Sequence, residues 1–234
     1  MTRRALTLSL LALAVGTGAL AQDGADALST PGGESSAHQV AREVQAFYDQ
    51  TDTFQARFTQ TYYHRLYQRY QRSRGELAFD KPGRMRFDYD RPNGKVIVSD
   101  GRHMTAFEPG DDGDPGQYVK AEMGSNALPA AFGFLTGQGG RILDDYRVRL
   151  LNAEDYRWSG EVLELRPRDS DPRIFRILLY VDGDSRRAGV VHRIRIDDHE
   201  GNRNHFQLRR MRFNRDIPAR RFRYAPPSGS IRLQ

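Results

Sequence analysis

The chain has 234 residues, 38% of them hydrophobic and 28% charged, with a formal net charge of +6 and no cysteine. That length suits one large domain or two small ones, with enough apolar residues for a core. The missing cysteine excludes disulfide staples, thiol catalysis, cysteine metal sites and a lipid anchor carried on an N-terminal cysteine. The 22 glycines and 11 prolines point to many turns and a β-rich chain.

The N-terminus reads as an export signal. Arg3 and Arg4 form a basic head, Ala5 to Val15 a short apolar stretch, and Ala19-Leu20-Ala21 the small-x-small pattern of a cleavage site. Cleavage after Ala21 leaves 213 residues and, with Arg3 and Arg4 gone, lowers the net charge from +6 to +4. The apolar stretch is too short for a spanning helix, and no later segment approaches about eighteen apolar residues. The reading is an exported protein without an anchor. Residues 22–36, poor in large apolar groups, read as a flexible linker, and 37–234 as one domain.

Ser35 or Ser36 can cap a helix running to about Tyr48, with Val40, Val44, Phe47 and Tyr48 on one stripe. Strand patterns follow. Phe54, Ala56, Phe58, Gln60 and Tyr62 alternate with polar residues, and so do Leu77 and Phe79. Met85, Phe87 and Tyr89 alternate with Arg84, Arg86, Asp88 and Asp90. Val96 to Val98 is closed by the Asp100-Gly101 turn, and Met104 to Phe107 returns from it. At 126–136, Leu128, Ala131, Phe132 and Leu135 take helical spacing, and Gly137 ends the run. Strands resume at 146–151, 161–166, 174–181, 190–197, 203–213 and 221–225. In 203–213 the apolar parity switches between Leu208 and Met211, which predicts a β-bulge. The sum is about ten antiparallel strands in a mostly β, α+β fold, a strongly curved sheet covered by two helical pieces.

Catalytic motifs are missing. There is no nucleophile elbow, no zinc-protease helix and no phosphate-binding loop. The six histidines lack ligand spacing, and Asp111 to Asp114 and Asp182 to Asp184 lack the glycine and closing glutamate of a calcium loop. No catalytic residue, metal or cofactor is expected. The arginines from Arg209 to Arg223 read as a solvated strand face, because thirty-three of the 36 basic residues are arginine throughout the chain. Nucleic acid is not an expected partner. The informative feature is apolar: Phe54, Phe58, Leu77, Phe79, Met85, Phe87, Tyr89 and Phe107 fall on successive strands, expected on a common inner face. That face suits an ordinary sandwich core, or the wall of a ligand cavity if the helices cover it without filling it.

The order of these motifs resembles the LolA family of periplasmic outer-membrane lipoprotein carriers. Phe54-x-Ala56-x-Phe58-Thr59-Gln60, Gly75-x-Leu77, Lys81-Pro82, Met85-x-Phe87-x-Tyr89, Arg91-Pro92 and Val96 to Gly101 follow in the family's order. So do Phe134-Leu135-x-Gly137, Asp145-Tyr146, Ile196 to Asn202, Asn214, Phe222 and Pro226-Pro227-x-Gly229. The resemblance implies an unclosed half-barrel whose lid covers an apolar cavity. It implies an acyl-chain wall of Phe58, Leu77, Phe79, Met85, Phe87, Tyr89 and Phe107. Val44, Phe47 and Tyr48 would belong to the first lid helix, and Leu128, Phe132, Phe134 and Leu135 to the second. Where the family usually has arginine this chain has Lys81, the expected lid latch. The implied partners are lipoprotein acyl chains, an inner-membrane lipoprotein-releasing transporter and an outer-membrane lipoprotein receptor. The chain is expected to act as a monomer in the periplasm. A same-fold module that binds another amphiphile or senses envelope stress is the alternative.

Overall fold

The computed structural model describes residues 31–111, 113–122, 132–133 and 140–233, with side chains from Ser36 onward. Helix α1 spans Pro31–Asp49 and a short α2 spans Ile142–Asp145. Twelve strands form one sheet. In chain order they are β1 (Thr53–His64), β2 (Arg69–Asp80), β3 (Arg84–Tyr89), β4 (Val96–Asp100), β5 (His103–Glu108) and β6 (Gln117–Glu122). Then come β7 (Tyr146–Leu151), β8 (Glu161–Pro167), β9 (Arg176–Val181), β10 (Val191–Asp197), β11 (Arg203–Phe213) and β12 (Ile231–Leu233).

The spatial order is β12-β6-β5-β4-β3-β2-β1-β11-β10-β9-β8-β7, so the sheet is unclosed, with β12 and β7 at its two edges. Neighbours are antiparallel except β12, which runs parallel to β6. The sheet is strongly curved. Phe87 on β3 and Phe206 on β11 are three strands apart, yet their ring centroids are 6.5 Å apart. A flat sheet with strands about 4.8 Å apart would separate them by about 14 Å.

Alternation decides which side chains meet inside this curl. On β3, Met85 and Phe87 are buried while Arg84, Arg86 and Asp88 point to the other face. Across β1 and β2 the pairs Phe54↔Phe79 and Ala56↔Leu77 continue the same inner row. Gly75 faces Phe58 in that row, and a Cβ there would collide with the Phe58 ring and the Asp88 carbonyl. The glycine therefore makes room for the phenyl ring. Ala37, Val40, Ala41, Val44 and Tyr48, spaced three and four apart along α1, bury their stripe against this concave face.

Three expectations need correction. The helix begins at Pro31, inside the stretch 22–36 assigned to linker, and Ser36 lies within it rather than capping it; proline's fixed φ suits a first turn. The segment 221–225 is not a strand. A 3-10 turn at Ala219–Phe222 lies there, in a stretch bounded by Pro218, Pro226 and Pro227, which cannot donate to a ladder. Phe222 is instead buried against the outer face of β3 and β4. The two unexpected strands, β6 and β12, carry half-buried or exposed residues and so lack the buried-exposed alternation that marks the others. The bulge in β11 is where parity places it: the β1–β11 register shifts between Gln55 and Arg57, and Arg210 takes φ +53°.

Candidate functional site: a concave aromatic wall

The concave face is lined by rings in mutual contact. Phe58 lies 5.0 Å from Tyr89, 5.8 Å from Phe87 and 5.9 Å from Phe206, centroid to centroid. Phe79 and Phe87 meet edge to face at 5.7 Å. Leu77 and Met85 are buried in the same cluster. Burial alone pushes the Tyr89 phenol well above its ordinary pKa, so it is a neutral, largely dry group at the rim. Six of the seven expected wall residues thus share one face.

Phe107 is the exception. It pairs with Val96, which pairs with Asp88, and that row belongs to the convex side. Its ring packs against Tyr224 of the C-terminal segment at 5.8 Å. The expectation of an inner position fails because that segment covers the convex face of β3 to β5, so an apolar residue is buried there too. Conversely, β11 supplies Phe206, Leu208 and Phe213 to the concave face, and none of them was among the expected wall residues. Their alternation is visible in the sequence, but the bulge splits it into two parities.

Helix α1 closes one side. Val44 and Tyr48 are buried, and Phe47 stacks edge to face on Phe213 at 4.9 Å. The Tyr48 hydroxyl accepts a hydrogen bond from the Val191 amide at 3.3 Å, tying the helix to β10. On the other side Lys81, between β2 and β3, donates from Nζ to the Tyr48 carbonyl. A cation at the last turn of a helix meets unpaired carbonyls and the negative end of the dipole. Burial lowers the Lys81 pKa, and the nearby Asp49 and Asp52 oppose that shift. The corner is reinforced by Asn214, whose side chain accepts from Asp52 N and donates to Gln50 O. Lys81 therefore grips the end of α1.

Of the residues expected in the second lid helix, Phe132 is described, with Gly133 beside it, while Leu128, Phe134 and Leu135 lie outside the described residues. Phe132 is 2% exposed. Its ring sits 5.2 Å from Phe206, 5.6 Å from Phe87 and 6.2 Å from Phe79, in the middle of the concave wall. Burying a ring this completely stabilises by about 1.5–3 kcal/mol.

The Asp182 carboxylate is spent on His192 and Arg187, and among the described residues no three potential ligands cluster around a metal position. No helix among them is long and apolar enough to cross a membrane.

Comparison with known proteins gives a consistent family. Residues 49–225 match the family model described as outer membrane lipoprotein carrier protein LolA. A protein of Pseudomonas entomophila named outer-membrane lipoprotein carrier protein is 26% identical over 208 residues, 86% of this chain and 93% of its own length. A protein of Nitrosomonas europaea with the same name is 27% identical over 134 residues, 56% of this chain and 60% of its own. Among solved structures, a LolA-superfamily protein of Nitrosomonas europaea covers 80% of this chain and 97% of its own, at 14% identity and a TM-score of 0.41. The family match spans strands β1 to β11 and with them most of the aromatic wall: the chain belongs to the LolA family of outer-membrane lipoprotein carrier proteins.

Proposed function

We propose that the mature protein carries lipoproteins through the periplasm by taking their acyl chains onto the concave aromatic wall. It would receive them from an inner-membrane releasing transporter and hand them to an outer-membrane receptor. The observation that carries this reading is a curved apolar face, in a chain of this family, occupied at its centre by one phenylalanine from a lid segment. Phe58, Leu77, Phe79, Met85, Phe87 and Tyr89 form the wall, joined by Phe206 and Leu208. Val44, Phe47 and Tyr48 form the fixed side of the enclosure, and Phe132 the side that cargo displaces. Lys81 latches the fixed side. No step in this role needs a catalyst or cofactor.

Energetics favour a wall that is already filled. Acyl burial yields about 0.8 kcal/mol per methylene. Several full chains would exceed the practical ceiling of about 18–21 kcal/mol and could not be released. A carrier in which cargo must displace Phe132 loses part of that gain at loading and recovers it at unloading, when the ring returns.

The test is uptake of a fluorescent acyl probe by the mature protein, with competition by a lipidated lipoprotein and by its unlipidated form. Wild type takes up the probe and only the lipidated form displaces it. Phe87→Asp, which places a charge on the wall, lowers uptake at least about a hundredfold while circular dichroism stays native. Equal displacement by both forms overturns acyl-chain binding, and unchanged uptake by Phe87→Asp moves the site off this wall.

A further inference from the structure

Five large apolar side chains are prominently exposed among the described residues, and three of them share one hairpin tip: Leu66 at 78%, Tyr67 at 60% and Tyr70 at 70%. A fourth, Phe175, is 40% exposed and borders, together with Arg65 in the turn of that hairpin, a cleft of about 480 Å³. At its tip this hairpin has β11 beside β1, and an open edge along β2. Strand β2 pairs with β1 from Arg69 to Asp80, but β3 joins it only from Gly75 onward, so Arg69 to Arg74 have a strand partner on one side only. No aspartate or glutamate occurs from Thr53 to Gly75, while Arg57, Arg65, Arg69, Arg72 and Arg74 all fall there.

The tip is built, not frayed. Tyr63 and Tyr70 pair across the two strands at 4.7 Å, Arg203 lies over the Tyr63 ring at 5.5 Å, and His64 stacks on Tyr67 at 4.4 Å. The Arg65 amide donates to the Asn202 side chain at 2.9 Å, which ties the β1–β2 turn to the neighbouring β10–β11 turn. The acids facing it belong to that turn: Asp198 and Glu200 lie near enough to Tyr62 to raise its phenol pKa, after the larger effect of burial. They flank the tip on its β11 side, while Leu66, Tyr67, Arg69, Tyr70, Arg72 and Arg74 of the tip itself are apolar, aromatic or cationic.

From this arrangement we propose that the β1–β2 hairpin is a membrane-contact device that docks the protein on a bilayer surface carrying anionic phospholipid headgroups. Tyrosine, apolar in its ring and polar at its hydroxyl, settles at headgroup depth. Leu66 enters the boundary just below it. Arg65, Arg69, Arg72 and Arg74 meet phosphates with planar, multiply donating guanidinium groups. An acidic protein surface would account for the arginines but not for an unprotected leucine at the tip, which water penalises and an interface accepts. The inference deepens the carrier reading by supplying a point of contact with the membrane at which cargo is exchanged, yet it needs no cargo for its own test.

The experiment is sedimentation of the mature protein with vesicles of phosphatidylcholine alone and of phosphatidylcholine mixed with phosphatidylglycerol. Wild type binds the mixed vesicles, binds the neutral ones weakly, and loses affinity as salt rises. Each of Arg69→Gln and Arg72→Gln weakens binding by about fivefold, and the triple variant Leu66→Ser, Tyr67→Ser, Tyr70→Ser weakens it at least about tenfold. Acyl-probe uptake is unchanged in all of them, which separates a failed docking surface from a failed carrier. A Tyr67→Trp variant adds a reporter whose fluorescence is quenched by brominated lipid only if the tip enters the interface. Failure of the wild type to bind mixed vesicles, wild-type binding by the triple variant, or an unquenched reporter in the Tyr67→Trp variant would each overturn the proposal.

Discussion

Phe132 stands in the middle of the concave wall on which we propose that cargo lies. Its ring touches Phe79, Phe87 and Phe206, and these belong to three different strands of the concave face. If it competes with cargo, its removal favours loading even though it costs packing. Phe132→Ala therefore binds the acyl probe about tenfold more tightly, the equivalent of about 1.4 kcal/mol of displaced ring contact, while its Tm falls. Titration of the probe checks this, and an affinity equal to or below wild type would remove Phe132 as competitor. At this scale the sequence was informative but incomplete. Parity within β1, β2 and β3 placed Phe58, Leu77, Phe79, Met85, Phe87 and Tyr89 on one face, as the paired strands do. It misplaced Phe107, since alternation gives relative parity inside a strand while the register across the β4–β5 turn decides the face.

Two elements carry constraints that can be tested apart from function. In β11 the bulge holds Arg210 at φ +53°, a left-handed conformation that costs a non-glycine residue about 1 kcal/mol. Arg210→Gly should be neutral to stabilising by up to about 1 kcal/mol, and Arg210→Val destabilising, as read from urea unfolding. If valine is tolerated as well as glycine, the bulge is not fixed at that residue. In β8, Glu164 has 3% of its side chain exposed and bonds Arg149 at 2.9 Å and Arg176 at 3.1 Å, with Arg166 at 3.4 Å. Burial pushes its pKa up, but the Arg176 bond and the charges of Arg166 and Arg149 push it further down, to below its ordinary 4.5. The folded state thus binds this proton less readily than the unfolded chain. Its stabilisation is present above pH 4.5 and fades as pH falls through the lower, folded value. Glu164→Gln should cost about 1–3 kcal/mol at neutral pH and flatten the acid limb of the stability curve, measured by urea midpoints across that range. An unchanged acid limb would show that Glu164 is not its source. The bulge was legible from the parity switch between Leu208 and Met211. The arginine cluster was not, because a carboxylate in an alternating strand looks like any solvated residue until the neighbouring strands are paired.

The whole molecule is one curved sheet with two differently used faces. The concave side holds the aromatic wall, α1 and Phe132; the convex side is covered over β3 to β5 by the segment around Phe222 and Tyr224, and over β8 and β9 by Trp158 and Tyr156. The family's motif order was readable along nearly the full chain, and with it the curved sheet. Less legible were β6 and β12, whose residues are mostly exposed, and the turn at Ala219–Phe222, where an apolar ring docks on the back of the sheet instead of extending it. The division of the sheet into two faces can be tested with two half-buried tyrosines. Tyr89 lies on the concave rim, and Tyr118, opposite Phe107, on the convex side. A photoreactive phenylalanine analogue replaces each in turn, and the protein is illuminated with lipidated lipoprotein. The acyl chain should cross-link to position 89 and not to position 118; labelling from 118 at equal or greater yield would place the cargo off the concave face.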